Sequence, residues 1–258
     1  MPLITARFAD RDRVRFALRL SAGHLLASAG VAVLAALLVF VLWYPSPTAQ
    51  LLEVRSIYLV LLGVDVVCGP LLTLVMASPR KPRRELILDL GLVALIQLAA
   101  LGYGLYSLAN ARPVAYVFER DRLVLVALNE LHTPECGEPC WPDQQAWDVG
   151  RYLSDPNRSG ADRLQSLDLS LQGVSPAMRP STWAEWNWLV PDLQSALRPL
   201  SALRADQQER LVALAGQAFL ARSELRYLPL VSSKTLDWIA VFDDRGEWVS
   251  SWPVDGFQ

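Results

Sequence analysis

The chain has 258 residues, of which 52% are hydrophobic and only 19% charged, with a mean hydropathy of +0.24. Those averages exclude an ordinary soluble domain, yet they are too mild for a polytopic channel, so a chain in two unlike parts fits them best. Residues 1–112 hold eleven Lys and Arg against six Asp and Glu, and residues 113–258 hold thirteen against twenty; the acidic balance of the second part argues against nucleic acid as its partner.

Residues 1–21 carry Arg7, Arg11, Arg13, Arg15 and Arg19 against Asp10 and Asp12 and read as a cytoplasmic N-terminal segment. The apolar run 22–44 that follows is too long for a signal-peptide core and ends in Trp43-Tyr44-Pro45-Ser46-Pro47 rather than in a small-residue cleavage site. It is expected to be a retained first span, with Trp43 and Tyr44 as interfacial anchors. Residues 45–55 form a short outer loop. A second span at about 56–77 and a third at about 86–110 complete a three-span domain over 22–112. Arg80, Lys81, Arg83 and Arg84 lie between them, and a short basic loop at the membrane edge stays in the cytoplasm. Nine cations near the inner ends against four near the outer ones place the N-terminus inside and residues 113–258 outside. Small residues at helix-contact spacing, Ala32 with Ala36 and Ala100 with Gly104, suit close packing of the spans.

The second part opens on PVAYVFERDRLVLVAL, two short strands that turn at Arg120-Asp121. Residues 129–160, rich in Pro, Gly and Asp, read as irregular loop. Residues 161–172 suit a short helix, and 191–221 suit two helical runs, PDLQSALRPLSALR and ADQQERLVALAGQAFLA. Three strand patterns follow, ELRYLPLV, LDWIAVFDD and EWVSSWPV, the last two joined through Asp244-Arg245-Gly246. Strands, helices, then strands predict an α+β domain with an antiparallel sheet.

Three features invite a functional reading. Cys136 and Cys140, in PECGEPCW on the outer side, suit a disulfide that staples a local turn. A redox or metal site is the sharper alternative, but C-x-x-x-C is not the thioredoxin spacing, and His132 is the one histidine nearby. Asp65 falls near the middle of the second span, where an ionised carboxylate is costly, and none of the three apolar runs contains Lys or Arg to neutralise it. Gln97 on the third span is the expected hydrogen-bond mate at similar depth, whereas His24 is expected at another depth. Asp65 either locks the bundle through Gln97 or backbone, or contacts another protein within the membrane. Asp89 is expected to be satisfied near Arg83 and Arg84. Finally, eight of the nine tryptophans lie in the second part, and Trp183, Trp186 and Trp188 in WAEWNW serve either as core or as a partner surface. No G-x-S-x-G, H-E-x-x-H or phosphate-binding glycine loop occurs, no cofactor is implied, and an enzyme is not expected.

FVLWYPSPTAQLL (40–52), LLGVDVVCGPLLTLV (61–75), PRKPRRELILDL (79–90), IQLAALGYGLYSLANARPVAYVFERDRL (96–123) and ELRYLPL (224–230) together resemble the TfpX/TfpZ family of type IV pilin accessory proteins. The resemblance implies a bacterial inner-membrane protein whose periplasmic domain assists assembly or surface export of a cognate major pilin, alongside other pilus-assembly proteins. It brings no catalytic residues. On that reading Asp65, with Gln97, is the candidate contact for the pilin's apolar N-terminal helix, pairing with its amine. A membrane-anchored ligand-binding or sensor module and a thiol redox protein are the competing readings.

Overall fold

The computed structural model describes residues 2–133, 149–154 and 160–257, with side chains placed for 11–133, 149–154 and 166–257. It divides into two units, Met1–Trp43 with Val54–Ala109, and Tyr44–Glu53 with Asn110–Gln258.

In the first unit, helix α1 (Pro2–Leu37) widens into a π-helical end over Leu38–Trp43. The short α2 (Thr48–Leu51) belongs to the other unit. The next long element is α3 (Val54–Gly63), a π-helical stretch at Val64–Cys68, and α4 (Gly69–Met76); α5 (Arg83–Asn110) follows. Three stretches, Arg11–Trp43, Val54–Met76 and Arg83–Asn110, are long and apolar enough to cross a membrane. Leu26, Val60, Val75 and Ile87 stand exposed on them, as side chains do when the solvent is lipid and burying an apolar group gains nothing. Asp89 is met by Lys81, whose Nζ lies 2.6 Å from Asp89 Oδ2, rather than by Arg83 or Arg84.

The second unit is built on a sheet of eight strands: β1 (Pro113–Glu119), β2 (Arg122–Ala127), β3 (Gly150–Ser154), β4 (Trp183–Glu185), β5 (Arg198–Pro199), β6 (Arg226–Val231), β7 (Trp238–Phe242) and β8 (Trp248–Trp252). The order is β4-β3-β1-β2-β6-β7-β8, with β5 also paired to β6. β1 and β2 form the expected hairpin, turning at Arg120 in the left-handed region (φ 60°). The turn between β7 and β8 uses Gly246 at φ 81°, while Asp243 Oδ1 accepts from the amides of Arg245 and Glu247.

The antiparallel expectation needs correction: the sheet is mixed. β3 runs parallel to β1, and β6 parallel to β2. Hairpin neighbours leave a local turn signature, whereas parallel neighbours meet only after a long crossover and leave none. β3 lies inside 129–160, read as loop from its composition. The first helical run of 191–221 is also shorter than expected. Helix α7 (Pro191–Ala196) stops before Pro199, which has no N–H to continue it, and Arg198-Pro199 pairs with β6 instead. The helix expected over 161–172 is α6 (Gly160–Leu171).

Helices α8 (Ala205–Ala215) and α9 (Gln217–Leu220) cover one sheet face. Leu211 from α8 packs with Leu203, Tyr227, Ile239, Val241 and Val254, and Phe219 and Leu220 close the edge. Farther along that face Ala115, Val117 and Val126 pack with Ala177 and Trp183. The residues alternating with these, Phe118, Leu123, Leu125, Leu228 and Leu230, are buried too. Residues 44–53, which take in most of the outer loop expected at 45–55 and the expected anchor Tyr44, contribute buried Tyr44, Leu51 and Leu52, and Ser232 Oγ donates to the Leu51 carbonyl at 2.6 Å. Burial pushes the Tyr44 phenol above its ordinary range, against the nearby Arg112 cation that lowers it.

The C-terminal residues are clamped to α8: Arg204 Nη2 lies 3.1 Å from Asp255 Oδ2, and the Phe257 amide donates to Asp255 Oδ1 at 2.9 Å. Burial raises the Asp255 carboxyl, but the Phe257 amide and the Arg204 guanidinium outweigh it and hold the group below its ordinary value of 3.8. A carboxyl lowered in the folded state contributes stability above its unfolded pKa and loses it as pH falls through the folded one. The protection factor of the Phe257 amide against hydrogen exchange should therefore be high at neutral pH and fall below pH 3.8. Asp255→Asn should show no such pH step, and a step that persists in it would contradict the assignment.

Candidate functional site

Pro70 sets the site. A residue of a π-helical turn offers its carbonyl to the N–H five positions on, and for Asp65 that position is Pro70, which has none. In a bilayer no water replaces the missing donor. The donor comes from α5: Gln97 Nε2 lies 2.7 Å from the Asp65 carbonyl oxygen. Gly69 makes the approach possible, because a Cβ there would overlap the Gln97 amide.

Because a carbonyl can only accept, this bond fixes which end of the Gln97 amide faces which neighbour. Its Oε1 is turned toward His24 Nε2 at 2.9 Å, so Nε2 carries the proton. In the neutral ring Nδ1 then accepts from the Thr73 hydroxyl, 2.6 Å away and fully buried. Ser21 Oγ donates to the Pro70 carbonyl at 2.8 Å, and the Tyr58 hydroxyl donates to the Ala32 carbonyl. These bonds tie the three spans together. His24, assigned to another depth from the sequence, belongs to the same network. Carbonyls point toward a helix C-terminus and side chains toward its N-terminus, so the Asp65 carbonyl and the Thr73 hydroxyl converge across eight residues, and Gln97 bridges what remains.

Beside this network lies a cleft of about 160 Å³, lined by Val31, Ala32, Tyr58, Leu61, Leu98 and Leu101 together with His24, Asp65 and Gln97. The expected pairing of Asp65 with Gln97 exists, but it uses the main chain of Asp65. Its carboxylate is left over: Oδ1 is buried and has no hydrogen-bond partner among the described residues. Gly104, one of the small residues flagged for helix packing, receives the Leu61 side chain. Among the described residues no group of three or more His, Cys, Asp or Glu could hold a metal ion.

The WAEWNW tryptophans separate. Trp183 is 8% exposed, donates from Nε1 to the Ala177 carbonyl at 3.0 Å, and stacks on Tyr152 at 4.7 Å, so it is a core residue rather than a partner surface. Trp186 and Trp188 are half-buried against Phe242, with ring centroids 6.3 and 5.4 Å away. Arg151 lies over the Trp186 ring at 5.5 Å. Cys136 and Cys140 lie outside the described residues; Cys68 is free and exposed on the second span.

Two curated proteins of Dichelobacter nodosus, "Fimbrial assembly protein, serogroup I" and its serogroup E1 counterpart, are each 31% identical to the chain over 255 residues, covering 96% of it and 99% of themselves. The chain belongs to the fimbrial assembly protein family. The family profile "Fimbrial assembly protein FimB" matches residues 12–52, and a third D. nodosus protein of that family, serogroups C1 and C2, is 39% identical over 122 residues, 47% of the chain and 93% of that protein. No solved structure matches. The match to the serogroup I and E1 relatives extends over both units.

The packing of Gln97 against Gly69 predicts a sharp contrast between two glycines of one span. Gly69→Leu should displace the Gln97 amide and lower the thermal stability of the detergent-solubilised protein by about 0.5–2 kcal/mol, the range of an interhelical hydrogen bond in a membrane. Gly63→Leu, where nothing lies within 4 Å of a new Cβ, should leave the melting temperature within error; equal losses at both sites would contradict the packing.

Proposed function

We propose that the chain is a non-enzymatic inner-membrane accessory protein of the TfpX/TfpZ kind that holds a type IV pilin in the bilayer and assists its assembly or export. The relatives named for fimbrial assembly support the process. The observation that carries the mechanism is the buried Asp65 oxygen left without a partner beside an apolar cleft. A pilin awaiting assembly presents an apolar N-terminal helix with a charged amine, and that helix supplies what the cleft lacks: apolar side chains against Val31, Leu98 and Leu101, and a cation for the carboxylate. An ion pair closed off from water gains what an exposed pair loses to screening. The basic loop at 80–84 faces the cytoplasm in this reading, the sheet unit lies in the periplasm beside the pilin's globular head, and half-buried Trp186 and Trp188 are the part of the tryptophan cluster available to it.

Asp65→Asn and Asp65→Ala should reduce co-purification of the cognate pilin about ten-fold or more, the weight of a desolvated charge pair that loses one member, with the abundance of the protein itself unchanged. Undiminished co-purification removes the docking reading. Disappearance of the variants from the membrane would assign Asp65 to the stability of the bundle instead.

A further inference from the structure

A carboxylate among helices normally finds a donor, and here one is within reach. Gln97 touches the Asp65 residue itself, yet its amide is spent on the main-chain carbonyl while its oxygen is held by His24. The reason is Pro70. Were residue 70 any other amino acid, its own N–H would close the Asp65 carbonyl in the π-helical register, and Gln97 would be released to bond the carboxylate. We infer that Gly69, Pro70 and Gln97 act as one positioning device that keeps the Asp65 carboxylate unpaired, and so makes the cleft selective for an occupant bearing a positive charge. Gly69 admits the amide, Pro70 withholds the main-chain donor, and Gln97 is consumed in replacing it. The chemistry of the site follows from what remains. His24, Thr73, Ser21 and Tyr58 have their hydrogen bonds within the bundle, no Lys or Arg lies in the three apolar runs, and the buried carboxylate oxygen Oδ1 is an acceptor without a donor among the described residues. An ammonium group carried into the membrane on an apolar segment matches it in both charge and polarity.

The inference rests on the docking reading for the identity of the occupant, but the device can be tested with no pilin present. Dicyclohexylcarbodiimide, an apolar reagent for carboxyl groups within membranes, reports how freely the Asp65 side chain stands. In the purified full-length protein, mass spectrometry should find Asp65 labelled in the wild type. Pro70→Ala should be labelled about five-fold less, the weight of one net hydrogen bond to the carboxylate. Adding Gln97→Leu to Pro70→Ala removes that hydrogen bond while the new amide still satisfies the carbonyl, so labelling should return to the wild-type level. Recovery on adding a second substitution is something that mere damage to the helix does not produce. Pilin co-purification should follow the same order, falling in Pro70→Ala and recovering in the double variant.

Wild-type labelling in Pro70→Ala, or low labelling that persists in the double variant, would overturn the inference. Labelling that follows the predicted order while co-purification stays constant would uphold the device and reject the docking reading.

Discussion

A carbonyl inside a bilayer has no water to turn to, and the arrangement of the membrane unit follows from how one such carbonyl is satisfied. At Asp65 the main chain supplies no donor, because the residue that would donate is Pro70. Satisfying that oxygen draws the Gln97 side chain across from α5, places Gly69 where the amide must pass, and fixes the tautomer of His24. Each of these is a small interaction, near 1 kcal/mol for a hydrogen bond between membrane helices. Their joint effect is geometric: three apolar helices that could otherwise slide against one another acquire a register. The register in turn leaves a carboxylate beside a cleft, its buried Oδ1 without a hydrogen-bond partner among the described residues.

The sheet unit solves a different problem, since its strands need water-excluding cover on both faces. On one face α8 and α9 supply Leu211, Phe219 and Leu220. The unit also recruits residues 44–53, which lie between the first two spans in the chain but belong by packing to the sheet, with Ser232 bonded to the Leu51 carbonyl. The wide use of tryptophan follows from the same need. Trp183 and Trp238 are buried, and Trp186, Trp188 and Trp248 gather on Phe242, where large rings cover area with few rotatable bonds.

The parts legible in the sequence were those governed by local rules. Run length and the arginine-rich turn mark three helices long and apolar enough to cross a membrane, the Arg120-Asp121 and Gly246 turns mark two hairpins, and an aspartate in mid-span marks the candidate site. What escaped depended on contacts between distant residues. The parallel placement of β3 beside β1 has no local signal, so a five-residue strand within a loop-like stretch passed unseen. Pro199 ends helix α7 within the run PDLQSALRPLSALR, which is expected to be helical throughout. Asp65 and Gln97 were correctly associated, but as side chain to side chain; the π-helical stretch that redirects Gln97 to the main chain is signalled only by Pro70, whose missing N–H could have been followed five residues back. His24 lies at another depth when depth is measured along straight helices, and the reach of the Gln97 side chain closes that difference.

Occupancy of the cleft is the claim on which the functional account stands, and a photocrosslinking residue at Leu101, in the lining, reads it directly in intact membranes. The account predicts an adduct with the cognate pilin from position 101, lost when Asp65 is changed to Asn, and none from the lipid-exposed position 88. Failure to capture pilin at 101, or equal capture at 88, would contradict it.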